Sequence, residues 1–508
     1  RIPMTHAFKA VDATAFTDGR GELTLQVRPA TGAPESPFPL RVSAVQLGWR
    51  RGAAPAGRSL GLYALIAVCL GAWAFPMKTA WGYWGALLFP TVGIAILLHS
   101  AGLYVRMYLP ALAVAAVGSS VILLVALRLG LSAPSTRWIA GLAAARIALA
   151  LLPAFPSIDA VFHAHNVDRY QAGMVITSEV SDAVGGSHAI PYGVTLYALL
   201  APFLPPGDYA RAEMAIRATM ALLESTAPLV VFLIMRTAGA SASAASGAGQ
   251  IAAALPESLL VVAKGIAANI FGQWLSLWAV WALLRRGSIL VPTVLIGLVV
   301  ATHPGAAVTL GALVALWALL LAGPARTRKE AARLLACLAA GGLLGVLLYY
   351  RNALGLVWEF WSHVHEFARG EPFVAFRWVH LGKLAQNLVL KLGGLPVVLA
   401  AAYWRDARAE GALRTLVAAW LRAFALFAVL ALFTPLAFRF EYFFAPAVAM
   451  AAAARYADSP WLRRATIVAA SIQLALGLAA LYGRFDLINV IIPSMRWPLA
   501  GITRTLSL

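Results

Sequence analysis

The chain has 508 residues, of which 61% are hydrophobic and 12% charged, and its mean hydropathy is +0.79. This composition excludes an ordinary soluble globular protein and indicates that most of the chain needs lipid as its solvent. The formal net charge of +19 comes mostly from Arg and Lys residues in short segments between apolar runs, a pattern typical of cytoplasmic loops in membrane proteins. Because no basic face interleaved with aromatic residues is evident, we expect no nucleic-acid partner.

The N-terminal residues 1–52 differ from everything that follows, because polar and apolar residues alternate over 22–28 and 40–45. Alternation with a period of two predicts β-strands. We therefore expect a small, β-rich, extracytoplasmic segment, a remnant or half of a β-sandwich. Since the first residue is Arg1 rather than Met, we also expect a processed or truncated product.

Apolar runs recur from Leu60 to Tyr482, and most can cross a hydrocarbon core of about 30 Å at about 1.5 Å per residue. They lack the alternation of barrel strands, so they predict helices. The expected fold class is an all-α polytopic membrane protein with about 13–14 transmembrane helices. The predicted helices cover residues 60–76, 83–101, 107–128, 137–154, 213–235, 240–260, 264–284, 288–302, 304–322, 333–350, 386–404, 416–436, 442–455 and 464–482.

Basic clusters between these runs predict the topology, since such clusters face the cytoplasm. All of them lie on one side only if the apolar segment 191–204 does not cross, so we predict that this segment is a helix at the membrane surface. Four connections are then exterior, namely 155–212, 256–265, 351–385 and 438–441. The predicted domains are the β-rich segment 1–52, three N-terminal transmembrane helices in 58–130, a transmembrane core over 137–484 and a C-terminal tail over 485–508.

The exterior loop 155–212 opens with a polar stretch in which Asp159 is followed by His163, His165 and the pair Asp168-Arg169. If this stretch is helical, Asp159 and His163 share one face at i, i+4. An acidic residue and histidines at the mouth of a helix are typical of an acid–base site at the membrane surface. The alternative is a solvated polar loop, although loops of this length in a compact membrane protein are usually functional.

This loop ends in Pro-Tyr-Gly-Val-Thr-Leu-Tyr-Ala-Leu-Leu at 191–200, and its order of features resembles membrane glycosyltransferases of the C superfamily. Protein mannosyltransferase-like and aminoarabinose transferase-like enzymes belong to that superfamily. The helix over 217–236, the turn over 301–305 and the corner over 438–446 also resemble parts of the fold, so the resemblance covers about 137–480. Two features depart from the pattern: three predicted helices precede the core, and a single Asp159 stands where many relatives have a paired Asp-Glu.

The resemblance implies an inverting glycosyltransferase that uses a polyprenyl-phosphate-linked sugar and acts on an unknown glycan, lipid or protein acceptor. Asp159 would be the catalytic base that takes a proton from the acceptor hydroxyl. Cations are needed near the leaving phosphate, where negative charge accumulates, and Lys383 is one candidate besides two arginines of the predicted site. The predicted substrate- or donor-binding residues are His163, His165, Asp168, Arg169, Tyr192, His303, His363, His365, Arg377, Arg439 and Glu441.

The location implied by the resemblance and the charge pattern is a bacterial inner membrane, with the site facing the exterior. An Arg- and Ala-rich composition is typical of a GC-rich bacterium. We predict no cofactor and no metal site, because the cluster over 363–366 lacks a helical ligand spacing. The two cysteines, Cys69 and Cys337, lie in apolar runs and support neither a disulfide nor a zinc site.

Charged residues within the predicted helices keep other classes of protein open. Glu224, Arg146 and Arg422 fit a transporter or flippase, although helix-to-helix ion pairing is the simpler interpretation. Likewise, Glu257 and Lys264 are most simply a local ion pair. Polar residues concentrate in the exterior loops and no repeat is evident, which favours the enzyme. A non-catalytic subunit of a membrane complex is a third possibility.

His303 stands beside Pro304 at the end of a predicted helix. A histidine in this place either caps a helix or binds substrate, and the sequence does not decide between the two roles.

Overall fold

The computed structural model describes residues 12–17, 23–28, 65–66, 69, 103–151, 157–181, 187–323, 325–356, 358, 378–405, 411–433 and 440–481. The chain falls into two compact units, Arg1–Arg50 with Trp497–Leu508 and Arg51–Arg496. In the first unit, strands β1 (Asp12–Thr17) and β2 (Leu23–Arg28) form an antiparallel hairpin. Strand β2 confirms the strand predicted from the alternation over 22–28, whereas the pattern over 40–45 lies outside the described residues.

In its described residues, the second unit consists of helices and one short hairpin. Its N-terminal half contains α1 (Leu103–Arg128), α2 (Ala133–Leu151), α3 (Ile158–Gln171), β3 (Thr177–Ser181), β4 (Ser187–Pro191), α4 (Thr195–Leu200), α5 (Tyr209–Thr237), α6 (Ala242–Ala254), α7 (Pro256–Lys264) and α8 (Ala267–Leu284). Its C-terminal half contains α9 (Leu290–Thr302), α10 (Pro304–Ala322), α11 (Arg328–Leu348), α12 (Trp378–Leu390), α13 (Leu395–Arg405), α14 (Ala412–Phe433), α15 (Glu441–Tyr456) and α16 (Pro460–Leu481).

Six helices in the described part of the chain are long and apolar enough to cross a membrane, or eight if two bent pairs each form one span. This confirms a polytopic α-helical protein, although the predicted number of about 13–14 spans is not reached among these residues. Two predicted spans, 60–76 and 83–101, lie almost wholly outside the described residues. The helices that pass are Pro110–Arg128, Tyr209–Thr237, Ala267–Leu284, Pro304–Ala322, Arg328–Leu348 and Ala412–Phe433.

The apolar helices differ in how much of their surface the protein covers. Of the apolar 18-residue stretch of α8, 78% is buried inside the protein, whereas only 28% of the corresponding stretch of α11 is buried. Helix α8 packs against α5 and α9 and is therefore central. Leu319 on α10 and Leu343 on α11 are 69% and 60% exposed. Large apolar side chains that face outward on long apolar helices fit a lipid surround rather than water.

Two predicted helices are broken. The predicted helix 240–260 is divided at Pro256 into α6 and α7, which meet at 41°. The predicted helix 386–404 is divided into the end of α12 and α13, which meet at 100°. Gly393 and Gly394 between them have φ of +78° and +57°, a backbone conformation that side chains disfavour and that ends a helix.

The predicted exterior loop 155–212 is largely ordered secondary structure. It contains α3, the hairpin β3–β4 and α4, the last followed by a short 3₁₀ turn over Ala201–Phe203. Helix α4 has six residues and is thus about 9 Å long, too short to cross a bilayer. Its length agrees with the prediction that 191–204 does not span.

Helices α9 and α11 pack closely through two glycines. A Cβ at Gly341 would lie 2.6 Å from Cβ of Ile296, and one at Gly345 would lie 2.5 Å from Cβ of Val300. Small residues four apart let two membrane helices approach closely, and the gain is van der Waals contact along both backbones. By contrast, a Cβ at Gly342 would meet no atom within 4 Å.

Gly341→Ala should therefore destabilise the protein by about 1–3 kcal/mol through overpacking. Gly342→Ala is the matched control, because the adjacent residue of the same helix gains helix propensity of about 0.5–1 kcal/mol without a clash. Thermal unfolding of the detergent-solubilised protein should give a lower midpoint for the first variant and an equal or higher one for the second. Equal midpoints for the two variants would contradict the described α9–α11 contact.

Candidate active site

Asp159 lies half-buried in the first turn of α3, where the positive end of the helix dipole favours a carboxylate. Gly265, the residue after α7, packs against this turn: a Cβ on it would lie 2.7 Å from the Ala160 nitrogen and 3.0 Å from the Asp159 nitrogen. Its φ is +79°, so both the close approach and the backbone conformation require glycine. The C-terminal end of α7, which carries Lys264, is thus fixed against the backbone of Asp159.

One turn further along α3, His163 forms the centre of a histidine cluster that also contains Tyr192, Tyr197 and His303. Its Nδ1 is 2.7 Å from the hydroxyl of Tyr197, to which Asn166 also donates at 3.3 Å. Burial, with a smaller contribution from His303, lowers the pKa of His163 to about 3. Burial likewise raises the pKa of Tyr197 well above its usual value. Both side chains are therefore neutral at physiological pH and form an uncharged hydrogen-bonded pair.

The histidine cluster connects α3 to the α9–α10 corner. Tyr192 is 6.0 Å from the His163 ring and 6.2 Å from the His303 ring, between centroids. His303 accepts a hydrogen bond through Nδ1 from the Ala306 nitrogen at 3.3 Å, which confirms the helix-capping interpretation. A side chain on Gly193 would collide with the Thr302 carbonyl. This close approach holds the strand end carrying Tyr192 against the corner.

The remaining charged residues of α3 lie on its other face. Asp168 accepts from the Gly207 nitrogen at 2.9 Å and from the Tyr209 hydroxyl at 3.1 Å. His165 is exposed and contacts Tyr209, with ring centroids 4.4 Å apart and ring planes tilted at 46°. Arg169 donates to the Val175 carbonyl at 3.3 Å. These three residues fasten the segments that follow α3, and the structure does not bring them together with Asp159.

Four buried ionisable side chains and one buried amide form a second group, here called the junction cluster: Glu257, Lys264, Asn387, Lys391 and Glu441. Each is at most 7% exposed. Lys391 Nζ lies 3.4 Å from Glu441 Oε2, and Lys264 Nζ lies 3.9 Å from Glu257 Oε1. The second contact confirms the predicted Glu257–Lys264 pair. Asn387 donates to the other oxygen of Glu441, so this carboxylate, predicted to bind substrate, is already held by two side chains.

The junction cluster lies where the two broken helices meet. The Glu257 nitrogen, in the first turn of α7, donates to the Lys391 carbonyl at the end of α12 at 2.9 Å. A free N–H at a helix start and a free C=O at a helix end thereby satisfy each other. Since α7 also ends at Gly265, the junction cluster and Asp159 are joined through one nine-residue helix.

The two clusters are also joined through α15. Its first residue, Glu441, pairs with Lys391, and Phe443 two residues later stacks on His303 with centroids 6.3 Å apart. Contacts thus run from Asp159 through Gly265, the junction cluster, α15 and the histidine cluster back to α3. Of the predicted site residues, Asp159, His163, Tyr192, His303 and Glu441 belong to this arrangement.

Four predicted site residues, His363, His365, Arg377 and Arg439, lie outside the described residues. Lys383 lies half-buried on α12. Within the described part of the chain, no three His, Cys, Asp or Glu side chains lie close enough together to hold a metal ion.

Sequence reasoning missed Lys391, Asn387 and Tyr197. Lys391 and Asn387 stand at i, i+4 inside an apolar run that was predicted to be a membrane helix. An ionisable residue in such a run is a functional candidate by default, and that signal identifies Lys391. Its pairing with Glu441 is not visible in sequence, because 50 residues separate the two.

Glu224 and Arg146 form a separate polar contact deeper in the bundle. Arg146 donates to the Ala253 carbonyl at 2.8 Å and to the Glu224 carbonyl at 3.4 Å, and Tyr442 donates to the Glu224 carboxylate. Arg146 also donates to the Ser225 hydroxyl at 3.4 Å. Helix-to-helix ion pairing between Arg146 and Glu224, the favoured interpretation, stays a prediction, because the hydrogen bonds described for Arg146 go to carbonyl and hydroxyl oxygens. Arg422 is exposed and lies over the Trp404 ring at 5.5 Å.

The apolar helices that surround these clusters define a multi-pass α-helical membrane protein. Comparison of the chain with protein-family models, curated proteins and solved structures finds no match.

The burial of His163 gives the stability a defined pH dependence. Because burial holds the folded pKa of His163 at about 3 and an unfolded histidine titrates near about 6.5, the contribution of the neutral ring to stability is complete above pH about 6.5 and falls as the pH falls towards 3. At pH 5 the loss amounts to about 2 kcal/mol. Thermal midpoints measured at pH 7.5 and 5 should therefore differ more for wild type than for His163→Gln. His165→Gln, two residues along, should behave like wild type. If His163→Gln showed the full wild-type decrease of the thermal midpoint between pH 7.5 and 5, His163 would not be the source of the pH dependence.

We expect Lys391 and Glu441 to stabilise the protein only when both charges are present. Lys391→Met leaves a buried carboxylate without its cation and should cost about 3–5 kcal/mol, whereas Lys391→Met/Glu441→Gln should recover most of that loss. The exposed pair Arg211–Asp208, with the Arg211 side chain 67% exposed, is the matched control, and Arg211→Met should cost less than about 1 kcal/mol. Additive effects in a double-mutant cycle on Lys391 and Glu441 would contradict the contact.

Proposed function

We propose that this protein is a membrane glycosyltransferase that transfers a sugar from a polyprenyl-phosphate-linked donor to an extracytoplasmic acceptor. The observation that carries the proposal is the position of Asp159. It is a carboxylate in the first turn of α3, packed against the turn at Gly265 that follows the buried Lys264. This agrees with the resemblance of the loop 155–212 to glycosyltransferases of the C superfamily.

In the proposed reaction, the acceptor oxygen forms a bond to the anomeric carbon while the bond from that carbon to the donor phosphate oxygen breaks. The acceptor proton passes to Asp159, and the electron pair of the broken bond leaves with polyprenyl phosphate. A general base of this kind contributes about 10²–10⁴-fold to a rate. Lys264, the last residue of α7, and Lys391, whose carbonyl accepts from the first turn of α7, are the candidate cations for stabilising a leaving phosphate.

Because His163 is neutral, we give it a role different from that of Asp159. Burial lowers the pKa of His163 to about 3, so the ring is neutral at physiological pH, and its Nδ1 is engaged by the Tyr197 hydroxyl. In the proposed site it positions α3 through Tyr197, and proton transfer falls to Asp159. The exposed His165 contacts the Tyr209 ring on the far side of the helix, so it does not substitute for that base.

A transporter or flippase is the second candidate, and one observation favours it. Two broken helices meet through the Glu257–Lys391 hydrogen bond and place buried charges at the breaks. Discontinuous helices whose ends carry ionisable groups are typical of binding sites in secondary transporters. In this alternative Glu257 would be the coupling residue, because one of its carboxylate oxygens is buried without a hydrogen-bond partner in the described structure.

Asp159→Asn should lower sugar transfer by at least about 100-fold, because the amide cannot accept the acceptor proton. The matched control is Asp168→Asn on the other face of the same helix, which should change turnover by no more than a few fold. Purified protein is assayed with a panel of polyprenyl-phosphate sugars, and product formation is followed by mass spectrometry. Unchanged turnover in Asp159→Asn would remove Asp159 as the base.

The same preparations distinguish the two candidate functions. In the contrary outcome, wild type transfers no sugar from any donor in the panel and instead moves a fluorescent polyprenyl lipid across the bilayer of liposomes in a Glu257-dependent manner. That result would favour the transporter over the glycosyltransferase. Glu257→Gln is the variant for that arm, with Glu213→Gln as an exterior control in the Arg217 ion pair.

A further inference from the structure

A cavity of about 250 Å³ lies between the ends of α10, α13 and α14. Its polar lining comes from Tyr403 and Trp404 at the end of α13, and from Arg414, Thr415 and Arg422 on α14. No acidic side chain lines it among the residues that the structure describes. The described lining thus carries two guanidinium groups and the hydroxyls of Tyr403 and Thr415, which supply hydrogen-bond donors.

Both arginines line the same cavity. They stand eight residues apart on α14, so they lie about 12 Å apart along the helix axis and about 80° apart around it. The Arg422 guanidinium lies 5.5 Å from the Trp404 ring centroid, a cation–π contact that holds the planar group. Guanidinium groups match the oxygens of a phosphate in pairs and are the preferred phosphate ligand in proteins.

This cavity is remote from the candidate active site. Helix α10 begins next to His303 and reaches the cavity wall at Leu320, 17 residues later, a distance of about 25 Å along the axis. Helix α13 likewise begins next to Lys391 and ends at the cavity. The cavity therefore lies at the opposite end of the bundle, where the basic clusters predict the cytoplasmic face.

An apolar surface continues from the cavity along α14. Leu426, Val429 and Leu430 are 48%, 53% and 42% exposed on this long apolar helix. A phosphate held between Arg414 and Arg422 would have room for an attached acyl chain along these side chains. Anionic lipids are concentrated in the cytoplasmic leaflet, and basic pockets on that side of a membrane protein bind their headgroups.

We propose that the cavity bounded by Trp404, Arg414 and Arg422 is a binding site for a phosphate ester, supplied either by an anionic phospholipid headgroup or by a soluble phosphate. The two guanidinium groups bind the phosphate oxygens, Thr415 donates a further hydrogen bond, and Trp404 holds Arg422 in place. This site is independent of sugar transfer and of Asp159.

Binding to the full-length protein in detergent tests the proposal, by native mass spectrometry and by thermal shift. The probes are dioctanoyl phosphatidylglycerol, dioctanoyl phosphatidylcholine and glycerol 1-phosphate. Wild type should bind the phosphatidylglycerol at least fivefold more tightly than the zwitterionic lipid, or should bind glycerol 1-phosphate. Arg414→Gln/Arg422→Gln should weaken the affinity for the bound probe at least tenfold.

The same measurements distinguish the two sources of the phosphate. Competition by glycerol 1-phosphate identifies a soluble phosphate, and binding of the lipid alone identifies a lipid headgroup.

Arg464→Gln is the matched control, because Arg464 also stacks on a tryptophan, Trp461 at 4.8 Å, but does not line the cavity. It should bind every probe like wild type. Should the double variant not fold, Arg422→Gln alone removes an exposed side chain and should still weaken binding, while Arg422→Lys should restore part of it. Equal binding by wild type and the Arg422→Gln variant, or no binding of any anionic probe by wild type, would overturn the proposal.

Discussion

The hydrogen bond from the Glu257 nitrogen to the Lys391 carbonyl is the contact on which the arrangement of this protein depends. Within lipid, every backbone polar group needs a partner inside the protein, so a broken helix is tolerated only where its free ends are buried and satisfied. Here the start of α7 and the end of α12 satisfy each other. The two ion pairs at this point then neutralise the side chains that the breaks bring inward, and buried charges without such partners would be costly.

From this hydrogen bond, packing contacts lead to both Asp159 and the histidine cluster. Helix α7 ends at Gly265, whose close approach fixes the first turn of α3 and with it Asp159. Glu441 begins α15, and α15 brings Phe443 onto the ring of His303. The two routes meet again on α3 at His163. A carboxylate at a helix start, two lysines and a neutral histidine are therefore set by one connected group of helix ends, rather than by a flexible loop.

Part of this could be predicted from sequence. Long apolar runs predict the helices, the spacing of Asp159 and His163 predicts their common face, and the nearness of Glu257 to Lys264 predicts their pair. The 100° bend at Gly393-Gly394 was missed, because apolar residues flank both glycines and hydropathy does not register backbone conformation. The separation of Asp159 from Asp168 depends on the Gly207 and Tyr209 contacts, and the Lys391–Glu441 pair depends on folding of distant segments. Neither leaves a periodic signal.

Helix α3 is held on two opposite faces, by Tyr197 on one and by Gly207 and Tyr209 on the other. It can neither rotate about its axis nor slide along it without losing hydrogen bonds on one side. Under the proposed function, the base is therefore preorganised before the acceptor arrives, and little ordering entropy is lost in placing it. Tolerance towards acceptors of different shape must then come from segments other than α3, so changes of specificity should accumulate outside this helix while its two faces stay constant.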